Sequence, residues 1–240
     1  NGTPSMSDLE YTISNSGTSF TLRSIGTVNY TVDWGDGSSS ETSTSNTLAH
    51  TYSSSGTYVV KINSNSGATY RPKFNNSTDE DQIISIAVGS EDSAEFSTNI
   101  ENAFRGAQNM TKYNQVSAAT SAVTNFNRAW NTCSGLTTFP VLDTSSGTDF
   151  QATWYNCSGI TTFPLINTSS GTNFNSAWVG CTGLSTFPVL DTSSGTNFGG
   201  AWNSCSSLTS FPALDTSSGT DFEGTWYNCS GITTFPSVSY

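Results

Sequence analysis

Apolar residues recur with a fixed period of 24 along the second half of the chain. Within one copy, Phe150, Trp154 and Cys157 fall at positions i, i+4 and i+7, the spacing of one face of a short helix. Residues 160–163 have the pattern of a short strand, which Pro164 ends because proline has no N–H to donate to a sheet. Each copy therefore predicts a short helix, a short strand and a Ser/Thr/Gly-rich turn into the next copy.

Five copies follow one another without an insertion. A weaker copy precedes them at a spacing of 26, and Ile84 fits one copy earlier still. A fixed period of about 20–29 residues predicts a solenoid, in which each unit buries its apolar face only against its neighbours. The five copies begin at Asn125, Asp149, Asn173, Asn197 and Asp221.

Aromatic residues and cysteines would form ladders along such a stack, with equivalent residues about 4.8 Å apart. An aromatic ladder could be a sugar-binding platform, but we interpret it as core, because few other large residues are available to fill one. The cysteines lack the paired spacing of zinc sites, and parallel side chains give poor disulfide geometry, so we interpret them as buried free thiols. The ladders are Trp130, Trp154, Trp178, Trp202 and Trp226, and Cys133, Cys157, Cys181, Cys205 and Cys229.

Nearer the start of the chain, apolar and polar residues alternate in the short segments 9–13, 20–23, 28–32 and 58–62. Alternation predicts strands with one buried face, and the Ser/Gly clusters between them predict turns, which together indicate a β-sandwich. Residues 82–88 predict a further buried strand that caps the first repeat. The acidic residues around it are expected on a solvated surface, and they are Asp79, Glu80, Asp81, Glu91, Asp92 and Glu95.

Composition adds that the polarity of the chain is neutral. Only 10% of residues are charged and 34% are hydrophobic, while the 12% that are aromatic supply a core. The net charge is −11, and no basic residue follows Arg128. Nucleic acids and anionic membrane surfaces are therefore excluded as partners of the repeats, and no apolar run is long enough for membrane insertion.

The repeats resemble the BspA-like leucine-rich repeat family of bacterial surface proteins. The resemblance covers residues 99–240 and depends on the recurring pattern aW..CssLt.FP.lDTSsgtnF, here with Trp in place of a Met-Phe pair and Phe-Pro in place of Leu-Asp. It implies an adhesion or recognition role, with the repeats presenting an extended face to a partner.

The segment before the repeats contains the motif 33–37 (DWGDG), His50-Thr51-Tyr52 and the strand 56–60 (GTYVV). Through these motifs, and over about 60 residues, it resembles the PKD domain. The resemblance implies an immunoglobulin-like β-sandwich that acts as an extracellular spacer or binding module.

Together these patterns predict a mainly β protein with short helices. Its predicted parts are a PKD-like β-sandwich at 5–74, an acidic connector and solenoid cap at 75–98, and a BspA-like solenoid of 24-residue coils at 99–240.

Asp33 and Asp36 are candidate calcium ligands, because clustered carboxylates suit that ion. The alternative is that both cap a tight turn by accepting backbone N–H bonds. No other cofactor is expected. His50, the only histidine, is predicted to pack at a strand end.

An enzyme is not expected. A glycosidase needs two carboxylates in one cleft, whereas Asp143, Asp191 and Asp215 occupy one repeated position, which favours a shared structural task. A polysaccharide-active enzyme remains a remote alternative.

The strand threonines are the candidate binding residues, because repeated hydroxyls suit hydrogen bonding to carbohydrate or protein, although they suit solubility equally. The expected partners are a host-cell surface glycan or protein, or copies of the chain itself, since the last copy lacks an obvious polar cap and ends of this kind can stack into a filament, fibre or capsid appendage. The expected location is extracellular, on a cell surface or a virion surface. The candidate residues are Thr137, Thr138, Thr161, Thr162, Thr186 and Thr233.

N-glycosylation sequons would matter only in a glycosylating host. The sequons at Asn156 and Asn228 directly precede a cysteine that is predicted to lie in the core, so these two asparagines are expected to be poorly exposed. The candidate sites are Asn29, Asn75, Asn76, Asn109 and Asn167.

Overall fold

The computed structural model describes residues 9–65, 70–74, 78–89, 98–115 and 120–236. These residues form eight strands, one 3₁₀ helix at Glu80–Gln82 and no α-helix, so the protein is mainly β with almost no helix. The strands are β1 (Leu9–Ser16), β2 (Ser19–Arg23), β3 (Tyr30–Asp33), β4 (Glu41–Ser43), β5 (Thr47–Thr51), β6 (Ser55–Ser64), β7 (Ile83–Val88) and β8 (Lys112–Gln115).

The N-terminal region is sandwich-like. One sheet has the strand order β4-β3-β6-β1-β7-β8, and a second sheet pairs β2 with β5. The predicted alternation is confirmed, because Leu9, Tyr11 and Ile13 on β1 are buried while the residues between them are partly exposed. The ring of Tyr11 meets that of Phe20 on β2 edge to face at 6.4 Å, which brings the two sheets into one core.

The buried strand predicted at residues 82–88 is present as β7. It pairs antiparallel with β1 on one side and parallel with β8 on the other, with Ile86 opposite both Tyr11 and Tyr113. The strand is therefore shared by the sandwich and the segment that leads into the repeats. The predicted domain boundaries at 74 and 98 stay predictions.

The acidic residues before β7 do not all lie on a solvated surface. Glu80 is only 2% exposed, and its Oε1 lies 3.9 Å from the guanidinium of Arg23. Asp79 makes the closer ion pair with the same guanidinium at 2.9 Å. The expectation of a solvated surface is thus wrong for Glu80, whose charge has a partner beside it.

The predicted helix in each repeat is wrong. In repeat 2, the N–H groups of Phe150 and Trp154 donate to carbonyls of repeat 3, whereas those of Thr153 and Cys157 donate to the carbonyl three residues earlier. Donors to the next repeat thus alternate with donors inside the repeat, and an α-helix would need every N–H to reach the fourth residue back.

Two residues per repeat lie in the left-handed region, which accounts for the departure from a helix. In repeat 2 these are Ala152 with φ 50° and Asn156 with φ 55°, and equivalent residues of every other repeat also have positive φ. A left-handed residue at every fourth position makes a series of tight turns instead of a helix. The same turns still bring Phe150, Trp154 and Cys157 into the core, so the predicted burial is confirmed.

The predicted strand is reduced to isolated bridges that join repeats 1, 2 and 3, and the equivalent residues of repeats 4 and 5, as far as the structure describes them, form none. Thr162 pairs in parallel with Thr138 of the preceding repeat and Thr186 of the next. Just one backbone bond accompanies each step, such as Ser185 N–H to the carbonyl of Thr161 at 3.0 Å. The proline two residues later prevents the ladder from continuing.

The aromatic ladder is buried core at Trp130, Trp154, Trp178 and Trp202, as predicted, and Trp226 of the last repeat is partly buried. The rings of Trp154 and Trp178 lie 5.3 Å apart and within 10° of parallel, and Trp178 and Trp202 repeat this geometry. The cysteines are free thiols, and that of Cys157 donates to the carbonyl of Trp130 at 3.1 Å.

Candidate recognition surface

The six predicted threonines, which we call the threonine face, are all exposed. The bridges from Thr138 to Thr162 and Thr186 place three of them in one line across repeats 1 to 3. Their backbones hold the register while their side chains remain at the surface. This arrangement can offer regularly spaced hydroxyl groups, each a donor and an acceptor.

Sequence reasoning missed an aliphatic column beside the threonine face. Val141, Leu165 and Val189 each follow the Phe-Pro pair of their repeat, and they are 63%, 65% and 65% exposed. The signal was present, because the residue after proline is apolar in the first three repeats and its neighbour Leu142 or Ile166 already fills the core. Side chains of this size and exposure add an apolar component to a polar surface.

The loop that closes each of repeats 1 to 4 is fixed by a carboxylate or an amide. Asp191 Oδ1 accepts bonds from the N–H and the hydroxyl of Ser193, and these bonds hold the pKa of Asp191 below its ordinary value. Asn167 makes the same two bonds with Ser169. The repeated carboxylates therefore have the same turn-closing contacts as an uncharged amide.

A second surface, which we call the turn face, consists of the third, fourth, seventh and eighth positions of each repeat. Asn127 Nδ2 of repeat 1 donates to Gln151 Oε1 of repeat 2 at 3.0 Å. A Cβ atom placed on Gly200 of repeat 4 would lie 3.5 Å from Ser176 Oγ and 3.8 Å from Val179 Cγ2 of repeat 3. Neighbouring repeats therefore contact each other within these columns, although Asn127, Asn131 and Ala152 are buried and only part of the turn face reaches solvent.

Sequence reasoning did not identify the turn face, because it predicted a helix over these residues. A signal was available in the columns themselves. The fourth position is Arg128, Ala152, Ser176, Gly200 and Gly224 in turn, and the eighth is Thr132, Asn156, Gly180, Ser204 and Asn228. Glycine or asparagine at one position in several copies indicates positive φ, which the structure has at all ten residues.

Asp33 and Asp36 lie at the β3–β4 turn. Asp33 Oδ1 accepts the N–H of Gly35, and Asp36 Oδ1 accepts that of Ser38, each at 2.9 Å. Asp36 Oδ2 also lies 2.8 Å from His50 Nε2. Hydrogen bonds from Ser38 and His50 hold the pKa of Asp36 well below its ordinary value.

These contacts are those of the turn-capping alternative. Among the described residues, no three His, Cys, Asp or Glu side chains are grouped so as to hold a metal ion. Calcium at Asp33 and Asp36 stays a prediction. The ring of His50 stacks on Trp34 at 4.8 Å and within 12° of parallel, which is the packing role expected of it.

The sequons differ in their surroundings. Asn109 and Asn167 are exposed, Asn29 is half-buried with its Oδ1 bonded to Asn65, and Asn75 and Asn76 lie outside the described residues. The expectation that Asn156 and Asn228 are poorly exposed is wrong. Both side chains are exposed, because left-handed φ turns these residues outward from the cysteine that follows.

Within the described ranges no helix has the length and hydropathy needed to cross a membrane. No curated protein and no solved structure matches the chain. The model of the PKD domain family matches residues 2–85. This range includes the contacting pair Asp36 and His50 and the strands of the sandwich up to the start of β7. The N-terminal part of the chain is thus PKD-like, and domains of this family are typical of extracellular and surface proteins.

Proposed function

We propose that this chain is a non-catalytic recognition protein of a cell surface or a virion surface. In this proposal the PKD-like domain carries a solenoid of the leucine-rich-repeat type, and the solenoid presents an extended face to its partner. The backbone bonds between neighbouring repeats and the parallel ring ladders support the solenoid.

The observation that carries the proposal is the exposure of the threonine face. Its residues recur at the same place in successive repeats, so a partner can contact equivalent hydroxyl groups in several repeats. Several weak contacts made at once bind more tightly than one, provided that the geometry allows simultaneous engagement. The resemblance to BspA-like surface proteins supports adhesion as the purpose of such a face.

The partner class is a surface glycan or an extracellular protein. The threonine face contributes hydroxyl groups, and the adjacent aliphatic column contributes Val141, Leu165 and Val189. Neither contributes charge, and the repeats have no basic residue after Arg128. This chemistry supports a neutral partner over a nucleic acid or an anionic membrane.

The test is to measure binding of the full chain to immobilised extracellular glycans and proteins. A variant with Thr138→Arg, Thr162→Arg and Thr186→Arg places bulk and charge along the threonine face, and we expect it to weaken binding by about tenfold or more. Thr57→Arg, on an exposed position of β6, is the matched control and should leave binding unchanged. Equal binding by the triple variant would refute the threonine face, and release of cleaved glycan would refute a non-catalytic role.

A second candidate function is assembly through the last repeat. Phe222 and Phe235 are 38% and 51% exposed, whereas their equivalents Phe198 and Phe211 in repeat 4 are 0% and 7% exposed. A further coil on this surface, from the same chain or from a second copy, would bury both rings. We propose stacking of copies as the alternative to adhesion.

Light scattering across a concentration series separates the two. Growth without limit that is abolished by Phe222→Lys with Phe235→Lys would favour assembly through this surface. A monomer at every concentration would leave adhesion as the function of the 240-residue chain.

A further inference from the structure

A second outward-facing row lies beside the aliphatic column. After the Phe-Pro pair of repeat 1, the exposed Val141 is followed by the buried Leu142 and the partly exposed Asp143. The same alternation recurs in repeats 2 to 4. It is the alternation of extended chain, in which every second side chain points to the same side. We call this second row the acidic column, and it consists of Asp143, Asn167, Asp191 and Asp215.

The two columns run in step from repeat to repeat. Phe139, Phe163 and Phe187 lie two residues before the aliphatic column, and their rings follow one another at 5.9 and 5.8 Å, within 14° of parallel. The next step, from Phe187 to Phe211, is 6.0 Å. Within one repeat, residues two apart in extended chain are separated by about 6.6 Å. The two columns thus form a strip with one apolar row and one acidic row, which we call the mixed strip.

The apolar row is not required by the fold. Among the described residues of repeats 1 to 4, the large hydrophobic side chains that are exposed are those of Val141, Leu165 and Val189. The same position is Ala213 in repeat 4 and Ser237 in repeat 5, so stacking does not depend on an aliphatic residue there. Neighbouring exposed apolar side chains, unlike single ones, are typical of a surface that a partner covers.

The acidic column keeps its negative charge at neutral pH. Both loop bonds of Asp191 are accepted by Oδ1, so Oδ2 takes no part in closing the turn. Asp215 makes the same two bonds with Ser217 through its own Oδ1. These bonds hold the pKa of both carboxyl groups below the ordinary value. Because no basic residue follows Arg128, the repeats do not neutralise these neighbouring charges, which repel each other.

The two rows determine the chemistry of a partner. It needs apolar side chains opposite one row and cations opposite the other, a combination that neutral glycans do not have. Nucleic acids and anionic membranes are repelled by the carboxylates. Protein side chains supply both components, because Arg and Lys pair with carboxylates while their aliphatic stems cover apolar surface. Charge complementarity therefore favours a basic protein segment.

The spacing of the mixed strip favours a helical segment. An α-helix rises about 1.5 Å per residue, so side chains four residues apart on one face are separated by about 6 Å along its axis. The strip repeats every 5.8 to 6.0 Å, so a helix lying along the repeats can place one apolar residue against each copy. Residues that flank this apolar stripe then lie over the acidic column. Amphipathic helices dock on apolar surfaces with anchors of this spacing.

We propose that the mixed strip docks a basic amphipathic helix of an extracellular protein, with its apolar residues against the aliphatic column and its Lys or Arg residues against Asp191 and Asp215. This inference goes beyond the proposed function, because the acidic column belongs neither to the threonine face nor to the aliphatic column, and because it commits to a basic partner. The aliphatic column is common to both surfaces, so the decisive variants are those of the acidic column.

The repeats themselves supply charge variants that should fold. Asn167 closes its turn with the same two bonds as Asp191, so Asp191→Asn with Asp215→Asn removes two charges from the mixed strip and keeps the loops. Asp149→Asn with Asp221→Asn is the matched control. The first position is already Asn in the other three repeats, and the same number of charges is lost from a different column.

The apolar row has a matched pair of variants as well. Leu165→Ala reduces the row to the residue that repeat 4 has as Ala213. Val59→Ala is the control, because Val59 is an exposed aliphatic residue on β6 of the sandwich. Near-ultraviolet circular dichroism of the stacked tryptophans checks that each variant is folded.

The experiment measures, by fluorescence anisotropy, binding of the full chain to a labelled helical peptide of Leu and Lys at about 0.15 M salt. Its leucines recur at positions i, i+4 and i+7, and its lysines flank them. Two further peptides separate the two rows, one with Glu in place of Lys and the other with Ser in place of Leu. We expect the Leu/Lys peptide to bind, and both others to bind at least about tenfold more weakly.

The variants locate that binding on the chain. Asp191→Asn with Asp215→Asn should weaken binding of the Leu/Lys peptide by about fivefold or more, and so should Leu165→Ala. Asp149→Asn with Asp221→Asn, and separately Val59→Ala, should each change it by less than about twofold.

Three results would overturn the inference. Equal weakening by the two pairs of Asp→Asn changes would mean that the peptide responds to the net charge of −11 and not to the mixed strip. Equal binding of the peptide with Ser in place of Leu would show that the aliphatic column is not covered. Absence of binding of the Leu/Lys peptide at about 1 mM would reject a basic helix as the partner. The threonine face has its own variant and probes, so its test is independent of all three.

Discussion

The sandwich and the repeats both pair their backbone N–H and carbonyl groups, but they do so in different ways. In the sandwich, strands far apart in the sequence pair over their whole length, as β1 does with β6 from Leu9 opposite Ile62 to Ser16 opposite Ser55. In the repeats, tight turns send alternate N–H groups to the next copy, as Phe150 and Trp154 do. Extended strands are therefore not required for one coil to stack on another.

This difference has an energetic consequence. Each strand of the sandwich has unique neighbours, so the loss of one is felt by the whole core. Among the described residues, the backbone bonds and ring contacts between repeats join adjacent copies, which favours a stability that is a sum of repeat terms and nearest-neighbour terms. The sandwich is expected to unfold as a unit, whereas the repeats can be divided.

The largest effect is expected from Trp178→Ala in the middle of the ladder. The residue is fully buried between the rings of Trp154 and Trp202, and its loss should cost about 3–5 kcal/mol of unfolding free energy. Because its neighbours are other repeats, the change should split unfolding into two transitions, visible as a difference between circular dichroism and tryptophan fluorescence in a urea titration.

Trp34→Ala is the matched change in the sandwich, since Trp34 is also fully buried. It should lower stability by a similar amount but retain a single transition for that region. Coincident transitions in Trp178→Ala would contradict the division of the repeats.

Gly171→Ala should have the next largest effect. An added Cβ would lie 2.5 Å from Phe174 Cζ and 3.0 Å from the carbonyl of Thr168, so the core must shift at a cost of about 1–3 kcal/mol. Gly37→Ala in the sandwich turn meets no atom within 4 Å and is opposed only by its φ of 84°, a cost of about 1 kcal/mol. Urea midpoints would rank them, and a reversed order would show that the repeat loop yields more easily than its packing suggests.

Ser176→Gly and Gly200→Ser test the left-handed column at smaller scale. Ser176 has φ 57°, a left-handed conformation that costs a non-glycine residue about 1 kcal/mol of stability. Glycine avoids this cost, but its greater conformational entropy in the unfolded chain offsets about half of the gain. Ser176→Gly should thus raise the thermal midpoint slightly, and Gly200→Ser should lower it. A shift of both variants in the same direction would mean that side-chain contacts, not φ, determine stability here.

The smallest effect is in acid. The pKa of Asp191 is lowered by Ser193, so its contribution to stability is complete above the unfolded-state pKa of about 3.9 and is lost as the pH falls toward the lower folded value. Asp191→Asn should remove that loss while keeping the turn, since Asn167 makes the same bonds in repeat 2. Urea midpoints at about pH 5 and about pH 2 would show a flatter profile for the variant.

Sequence alone predicted what is buried better than how the backbone runs. The alternation in β1 and the 24-residue ladder of Trp178 follow from hydrophobicity, which the fold must respect in any conformation. Helical spacing at Phe150, Trp154 and Cys157 did not distinguish a helix from tandem turns, because both return every fourth side chain to one side. Arg128 and Ala152 have left-handed φ, which neither arginine nor alanine indicates by residue type. This conformation can be predicted at these positions only when the five copies are aligned.

The candidate surfaces show the same limit. The threonines could be predicted as candidate binding residues because they are repeated and polar, and their exposure is the only structural property that this prediction required. The turn face was missed because its identity depends on which carbonyls accept the alternate N–H groups, a property of the stacked chain and not of one copy.

The alternation of donors also restricts how such a chain can evolve in length. Deletion of one codon within the turn segment would exchange the N–H groups that bond inward with those that bond onward, and so would disrupt two neighbouring copies at once. Duplication of a whole 24-residue unit leaves every donor matched and adds one rung, and the Phe rungs are spaced 5.2 to 5.5 Å apart. The length of the repeat region can therefore increase in steps of one repeat, while the turn residues of each new copy are free to change.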